Sequence, residues 1–263
     1  MRVDWRLDAP ATTFTYGQPA DGNLWEHFFE PLSFPAAPPL ERITQEYADY
    51  GMTGMRAYRM YKRGGRWRHD YGRAYHEHIR VRPAILDRVE EIWRSGMAGR
   101  FCVGVHIRHR DHSHECPRPI PEPDEFVERA TRFASRGDRA VVFLATDAPR
   151  AVEPFETAFG ERLVIQQNVE RERVSRGQPQ VGMRDPRVEL GEQVLVDALL
   201  LARCNVVLHT VSNIATAAGY MNPAMRMVYC EPAYLDFLAK LRSRVTRSLP
   251  PESMDGISHL QCS

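Results

Sequence analysis

The sequence has no long apolar run, no strong charge bias and no paired-cysteine spacing, and each absence excludes a class of protein. No stretch approaches the roughly 20 apolar residues that span a bilayer, and the opening MRVDWRLDAP lacks the apolar core of a signal peptide. The formal net charge of +1 over 263 residues favours neither nucleic acid nor an anionic membrane. The five cysteines, an odd number without CxxC spacing, argue against a disulfide framework. We therefore expect a cytoplasmic protein with no transmembrane segment and no nucleic-acid partner.

Several enzyme signatures are also missing. The chain has no GxSxG, P-loop, HExxH or GxGxxG motif, which removes the commonest hydrolases, P-loop NTPases and dinucleotide oxidoreductases. Four histidines and a cysteine do crowd one loop, but their spacing fits no zinc motif, so no metal is expected. A metal-dependent hydrolase built on this loop remains the less favoured alternative. The residues of the loop are His106, His109, His112, His114 and Cys116.

From residue 101 onward, apolar strands alternate with helical patterns. The predicted strands are 101–107, 140–145, 163–166, 205–209 and 227–230. The predicted helices are 124–136, 152–159, 191–203, 212–220 and 234–241. Such alternation implies an α/β fold with a parallel, Rossmann-like sheet and helices on both faces. The polar segment 168–187 interrupts the pattern, and loops of this length are usually functional or disordered.

The first hundred residues follow no such alternation. They are rich in aromatic residues and proline, with clear helical patterns only at 40–50 and 83–93, the second of which opens with Pro83 at a favoured position. We therefore expect two domains. Residues 1–98 would form a smaller, incomplete α/β domain, and residues 99–263 the Rossmann-like domain. Three cysteines within apolar strand-like runs, Cys102, Cys204 and Cys230, are expected to be buried.

Charged side chains gather where the strand 101–107 ends. His106, Arg108, Arg110 and Asp111 occupy this position, and a parallel sheet binds its ligands outside the carboxyl ends of its strands. Guanidinium groups suit phosphate, and Asp111 could orient one of them or a helix end. The pattern predicts a phosphate site, with a solvated charged loop as the alternative.

Polar residues also mark two other strand ends and one apolar helix. Thr210-Val211-Ser212-Asn213 opens a helix after the strand 205–209, where Ser212 or Thr210 could cap the helix. The same turn could point backbone N–H groups at a phosphate, and both interpretations can hold together. Asp197 lies in an apolar helix, where a carboxylate is costly unless it is paired or faces a ligand. Asp147, at a strand end, has the same ambiguity.

Three segments in this order, VGVHIRHRD, VVFLATD and VDALLLARCNVVLHTVSN, resemble the donor-binding domain of the α1,6-fucosyltransferase family. VDWR, FFEPLS and YHEHIRVRP resemble its bacterial nodulation branch. The resemblance implies a GT-B architecture, in which two Rossmann-like domains face each other across a cleft. It implies an inverting, metal-independent transfer of fucose from GDP-fucose to a hydroxyl of a glycan or small molecule, without a cofactor. A homo-oligomer is compatible with it.

The resemblance also implies roles at the phosphates. Arg108 matches the arginine that holds the β-phosphate of the donor. Ser212, with Thr210 and Asn213 beside it, matches the serine-rich turn that meets the phosphates. Asp111 would support this group as a donor-binding residue.

The resemblance implies further roles at the guanine and at the acceptor hydroxyl. His106 and Asp197 match positions that help to hold the guanine, and Asp147 matches the acidic position of the ATD segment. An inverting displacement also needs a base that accepts the proton of the acceptor hydroxyl. Glu115, in the loop after the first strand, is the candidate.

The sequence departs from the family in two places. His109 and Arg110 stand where the animal enzymes usually have Arg-Thr. The family pattern also has a strand, a glycine-rich turn and a helix before VDWR, and we expect this chain to lack them. An incomplete first domain would remove one wall of the cleft and expose a sheet edge. A non-catalytic GDP-sugar-binding protein is therefore kept as the alternative function.

Overall fold

Five strands form one parallel sheet in the order β3-β2-β1-β4-β5. The computed structural model describes residues 24–31, 66–108, 120–135, 137, 139–166, 186–210 and 212–230. The strands are β1 (Cys102–Ile107), β2 (Val141–Thr146), β3 (Leu163–Ile165), β4 (Val206–His209) and β5 (Arg226–Tyr229). The chain builds outward from β1 in one direction and then in the other, so the strand order reverses between β1 and β4. Such a switch point is where an open α/β sheet forms its ligand crevice.

Helices cover both faces of this sheet, which confirms the predicted α/β class. Those before the sheet are α1 (Leu24–Phe28), α2 (Arg66–His78) and α3 (Pro83–Ile92), and α3 continues as a π-helix (Trp93–Met97). The helices that connect its strands along the chain are α4 (Pro123–Ala134), α5 (Val152–Phe159), α6 (Pro186–Ala202) and α7 (Asn213–Met221). No helix among the described residues is long and apolar enough to cross a membrane.

The central strands are apolar throughout because both of their faces are covered. Every residue of β1 and β2 is buried, as expected for parallel strands between two helical layers. Phe143 and Val207 face a core that includes α3 and α6, whereas Val105 and Leu144 face a core that includes α4 and α5. We call these the first and the second face.

Glycine is needed at one point of β1 on the first face. A Cβ atom on Gly104 would lie 3.0 Å from Cys204 Sγ, from Leu201 Cδ2 and from Val207 Cγ2. The missing side chain lets the C-terminal end of α6 pack directly on the sheet. The predicted burial of Cys102, Cys204 and Cys230 is confirmed, and all three thiols are free.

The helices differ from the sequence-based expectation in one starting point and in their number. The helix predicted at 191–203 begins at Pro186, because proline is favoured in the first helical turn, so residues 186 and 187 do not belong to the polar loop. Helices α1 and α2 were not predicted at all. The helices expected at 40–50 and 234–241 lie outside the described residues.

Helices from the first hundred residues pack on the sheet itself. Phe28 of α1, Ile85 and Val89 of α3 and Met97 of the π-helix belong to the same core as the first face. A Cβ atom on Gly191 of α6 would collide with the Phe28 ring. These elements therefore cover part of the first face of the sheet. A domain boundary at residue 98 stays a prediction.

Candidate functional site

The carboxyl ends of β1, β2 and β4 bring together several side chains that the sequence singled out. His106 lies near the end of β1, directly opposite Ala145 of β2 and His209 of β4. Arg108 follows β1, and the turn Thr210–Asn213 follows β4 and opens α7. The structure therefore places these residues at the carboxyl ends of the strands, as predicted, and at the point where the strand order reverses.

Arg108 and Asp147 form an ion pair at the ends of β1 and β2. Arg108 Nη1 lies 3.6 Å from Asp147 Oδ2, with the side chains 27% and 42% exposed. A partly exposed pair of this kind adds little stability. Its consequence is geometric, because Asp147 holds the guanidinium at the strand end while leaving part of it open to solvent.

His106 is buried and neutral. Its Nδ1 lies 3.2 Å from the Ala145 carbonyl oxygen and its Nε2 lies 2.7 Å from Ser212 Oγ. Burial lowers the pKa of His106 to about 4, because it disfavours the imidazolium ion; Asp147 and the Ala145 carbonyl oppose this effect, and Arg108 adds to it. His106 was expected at the guanine, and both of its ring nitrogens have protein partners.

A serine 2.7 Å from an imidazole nitrogen has the spacing of a nucleophile and its base. A histidine with a pKa of about 4 is a weak base at neutral pH, and Ser212 is only 7% exposed. Ser212 instead caps α7, with its Oγ accepting a hydrogen bond of 3.1 Å from the Ile214 N–H. The capping interpretation of this turn is confirmed.

The two residues that flank this cap differ in environment. Thr210 is 5% exposed, and its Oγ1 has no hydrogen-bond partner among the described residues. Asn213, the first residue of α7, is exposed. The helix start therefore offers a buried hydroxyl, an exposed amide side chain and the positive end of the helix dipole.

Asp197 projects from α6 towards the end of β3. Gln166, which directly follows β3, donates from Nε2 to Asp197 Oδ1 at 2.5 Å and to the Gln193 carbonyl oxygen at 2.9 Å. The sequence analysis missed Gln166 and Gln193, which are 2% and 4% exposed. A polar residue at the end of an apolar strand was the available signal for Gln166.

His209 is a second buried histidine that the sequence analysis missed. Its Nδ1 lies 2.7 Å from the Thr210 carbonyl oxygen, and its ring packs edge-on against Tyr229 with centroids 5.9 Å apart. Burial lowers the pKa of His209 to about 4; the bond to Thr210 opposes this effect, and His106 and Arg68 add to it. Two neutral imidazoles thus lie side by side beneath the site.

Asp111 and Glu115 lie outside the described residues, as does the histidine-rich loop from His109 to Cys116. Within the described ranges, no three histidine, cysteine, aspartate or glutamate side chains are grouped as a metal site would require. The roles expected for Asp111 and Glu115, like the metal-dependent alternative, remain predictions.

No protein-family model and no curated protein sequence matches this chain. Among solved structures, the chain is similar to the NodZ α-1,6-fucosyltransferase soaked with GDP-fucose, at 19% identity over 77% of this chain and 78% of that chain, with a TM-score of 0.46. The fucosyltransferase NodZ from Bradyrhizobium is 18% identical over 78% of this chain and 78% of that chain, with a TM-score of 0.45. POFUT1 in complex with GDP-fucose is 12% identical over 57% of this chain and 47% of that chain, with a TM-score of 0.41. Each of these TM-scores lies below 0.5.

Proposed function

We propose that the protein is a glycosyltransferase that holds a GDP-sugar outside the carboxyl ends of β1 and β4. The proposed reaction is the inverting, metal-independent transfer of fucose from GDP-fucose to a hydroxyl of a glycan or small molecule. The observation that supports it best is the position of Arg108 at the end of β1, because the neighbouring strand β4 leads into the capped start of α7. The resemblance of the motifs around these residues to the α1,6-fucosyltransferases supplies the donor.

The chemistry of the proposed reaction suits these groups. When the bond to the sugar breaks, negative charge develops on the β-phosphate of the leaving GDP. A guanidinium already oriented by Asp147, together with amides at a helix start, stabilises such charge without rearranging. Thr210 and Asn213 lie at the same helix start and belong to the proposed phosphate site, with Asp111 as a further donor-binding residue. Glu115 is the proposed base for the acceptor hydroxyl.

Replacing Arg108 with glutamine tests the phosphate site. We expect the Arg108→Gln variant to bind GDP about tenfold to a hundredfold more weakly, because a hydrogen bond to a charged group contributes about 1.5–3 kcal/mol. Isothermal titration calorimetry measures the affinity. The matched control is Arg132→Gln, since Arg132 is 71% exposed and pairs along α4 with Glu128, and it should bind GDP like the wild type. Undetectable GDP binding by the wild type, or equal affinities of both variants, would refute the proposed site.

Turnover separates the proposed enzyme from its alternative. Purified protein incubated with GDP-fucose should release GDP, slowly with water as the acceptor and faster with a suitable hydroxyl. Binding of GDP-fucose with no release of GDP, with or without acceptors, would favour the non-catalytic GDP-sugar-binding protein instead.

Replacing Asp197 with asparagine tests the proposed contact with the guanine. In the Asp197→Asn variant the amide oxygen can still accept from Gln166, but the amide NH₂ group would oppose the N1–H and 2-amino donors of guanine. We expect GDP affinity to fall about tenfold or more and IDP affinity, which involves no 2-amino group, to fall less. Calorimetry with GDP and IDP measures both, and Asp87→Asn, on the exposed side of α3, is the control. Equal losses for the two nucleotides would place Asp197 away from the 2-amino group.

A further inference from the structure

The hydrogen bond between His106 and Ser212 joins the end of β1 to the first turn of α7. The two residues are 106 positions apart in the chain, and the bond between them is 2.7 Å long and buried. His106 is 3% exposed and Ser212 is 7% exposed. This contact connects the strand that leads to Arg108 with the helix whose start forms the other side of the proposed phosphate site.

The partners of His106 determine which ring nitrogen carries the hydrogen. The Ala145 carbonyl oxygen can only accept, so Nδ1 of the neutral ring donates to it. Nε2 then has a lone pair and no hydrogen, and it accepts the hydrogen bond that the Ser212 hydroxyl donates. Both nitrogens are therefore used inside the protein.

The Ser212 hydroxyl is used in both directions. Its only hydrogen goes to His106 Nε2, and its oxygen accepts from the Ile214 N–H at 3.1 Å. The Ser212 carbonyl oxygen accepts from the Thr216 N–H at 3.0 Å and from Thr216 Oγ1 at 2.8 Å. A hydroxyl has one hydrogen to donate, so Ser212 has none to give to a phosphate oxygen.

From these contacts we infer that His106 and Ser212 are positioning residues that hold the first turn of α7 against β1, and that neither side chain bonds the donor. The inference rests on the proposed GDP-sugar function. In this arrangement the phosphates meet Arg108 and the backbone amides of α7, and the histidine acts on them only through the serine. This positioning role replaces the expectation that the His106 side chain holds the guanine.

Two substitutions of His106 separate positioning from direct contact. The side-chain amide of His106→Gln can donate to Ala145 and accept from Ser212, whereas His106→Leu can do neither. We expect His106→Leu to weaken GDP binding at least tenfold and to leave guanosine binding within twofold of the wild type, so the ratio of the two affinities falls. His106→Gln should restore this ratio to within threefold of the wild type. Calorimetry with GDP and guanosine gives the ratio.

A histidine that contacts the base gives a different pattern. If His106→Leu weakens guanosine and GDP binding by the same factor, or weakens neither, the inference is overturned. Wild-type protein that binds no GDP would refute the proposed function on its own. The positioning role would then be judged by hydrogen exchange at the Ile214 amide, which should quicken at least tenfold in His106→Leu and stay near the wild-type rate in His106→Gln. Unchanged exchange in His106→Leu overturns the positioning role.

Ser212→Ala provides the same tests if His106→Leu does not fold. This variant removes one oxygen atom and leaves the imidazole in place. We expect faster exchange at the Ile214 amide and a reduced ratio of GDP to guanosine affinity, with guanosine binding unchanged. A Ser212→Ala protein with wild-type exchange at Ile214 contradicts the inference.

Discussion

At pH 5.5 the protein should have a free energy of unfolding about 2–3 kcal/mol smaller than at pH 7.5. The change comes from His106 and His209, whose pKa values burial lowers to about 4 in the folded protein. In the unfolded chain each titrates near its ordinary pKa of about 6.5. Integrating the proton linkage over this window gives about 1.3 kcal/mol for each histidine.

The free energy of unfolding falls with pH because the unfolded state binds more protons than the folded state. Between the folded pKa of about 4 and the unfolded pKa, the unfolded chain is protonated at these two sites and the folded protein is not. Acid therefore favours unfolding, and the stability present above pH 6.5 is lost as the pH falls towards 4. The charged groups that act on these rings are Asp147 and Arg108 at His106, and Arg68 at His209.

Urea unfolding at pH 7.5, 6.5 and 5.5 measures this loss. The window ends above the ordinary carboxyl range, and Glu90, whose pKa is lowered chiefly by the hydrogen bond from Arg203, titrates below it. His106→Gln cannot titrate, so the same change of pH should cost it about half as much as the wild type. A free energy of unfolding that does not decrease between pH 7.5 and 5.5 would show that these imidazoles are not neutral in the folded protein.

The sequence predicted the parts of the fold that depend on local pattern. The apolar runs gave all five strands to within one or two residues, because buried parallel strands are apolar on both faces. Helix α2, RWRHDYGRAYHEH, was missed because charged residues, histidines and a glycine fill most of its positions. Its stability comes from contacts with α7, which is distant in the chain, and such contacts leave no periodicity in the sequence.

In the candidate site, too, the residues that follow from local pattern were predicted, and the contacts that depend on packing were not. Arg108 and the turn that ends at Asn213 were predicted because they follow strands whose carboxyl ends must meet. The burial of His106 and its bond to Ser212 depend on the register of β1 against β2 and β4, which the sequence pattern does not contain. The contact of Gln166 with Asp197 likewise depends on how α6 packs over the end of β3.

Replacing Arg68 with methionine should lower the free energy of unfolding by about 3 kcal/mol. Arg68 projects from α2 into the C-terminal end of α7 and the turn after it. Its Nη2 donates to the carbonyl oxygens of Asn222 at 3.0 Å and Met225 at 2.9 Å, and its Nε to that of Gly219 at 3.4 Å. A cation at the C-terminal end of a helix also meets the negative end of the helix dipole. Methionine preserves the apolar stem and removes every donor.

The control is Arg73→Met on the same helix. Arg73 is 75% exposed and pairs within α2 with Asp70, at 3.3 Å, so its loss should cost less than about 0.5 kcal/mol. Urea unfolding of both variants and the wild type gives the comparison. Equal effects would mean that α2 is held by its other contacts with this region, such as the stacking of Tyr71 on Tyr220 and the close approach of Gly72 to Pro223. A large loss confined to Arg68→Met would establish that α2, a helix rich in charged residues, is fixed chiefly by one guanidinium on the end of α7.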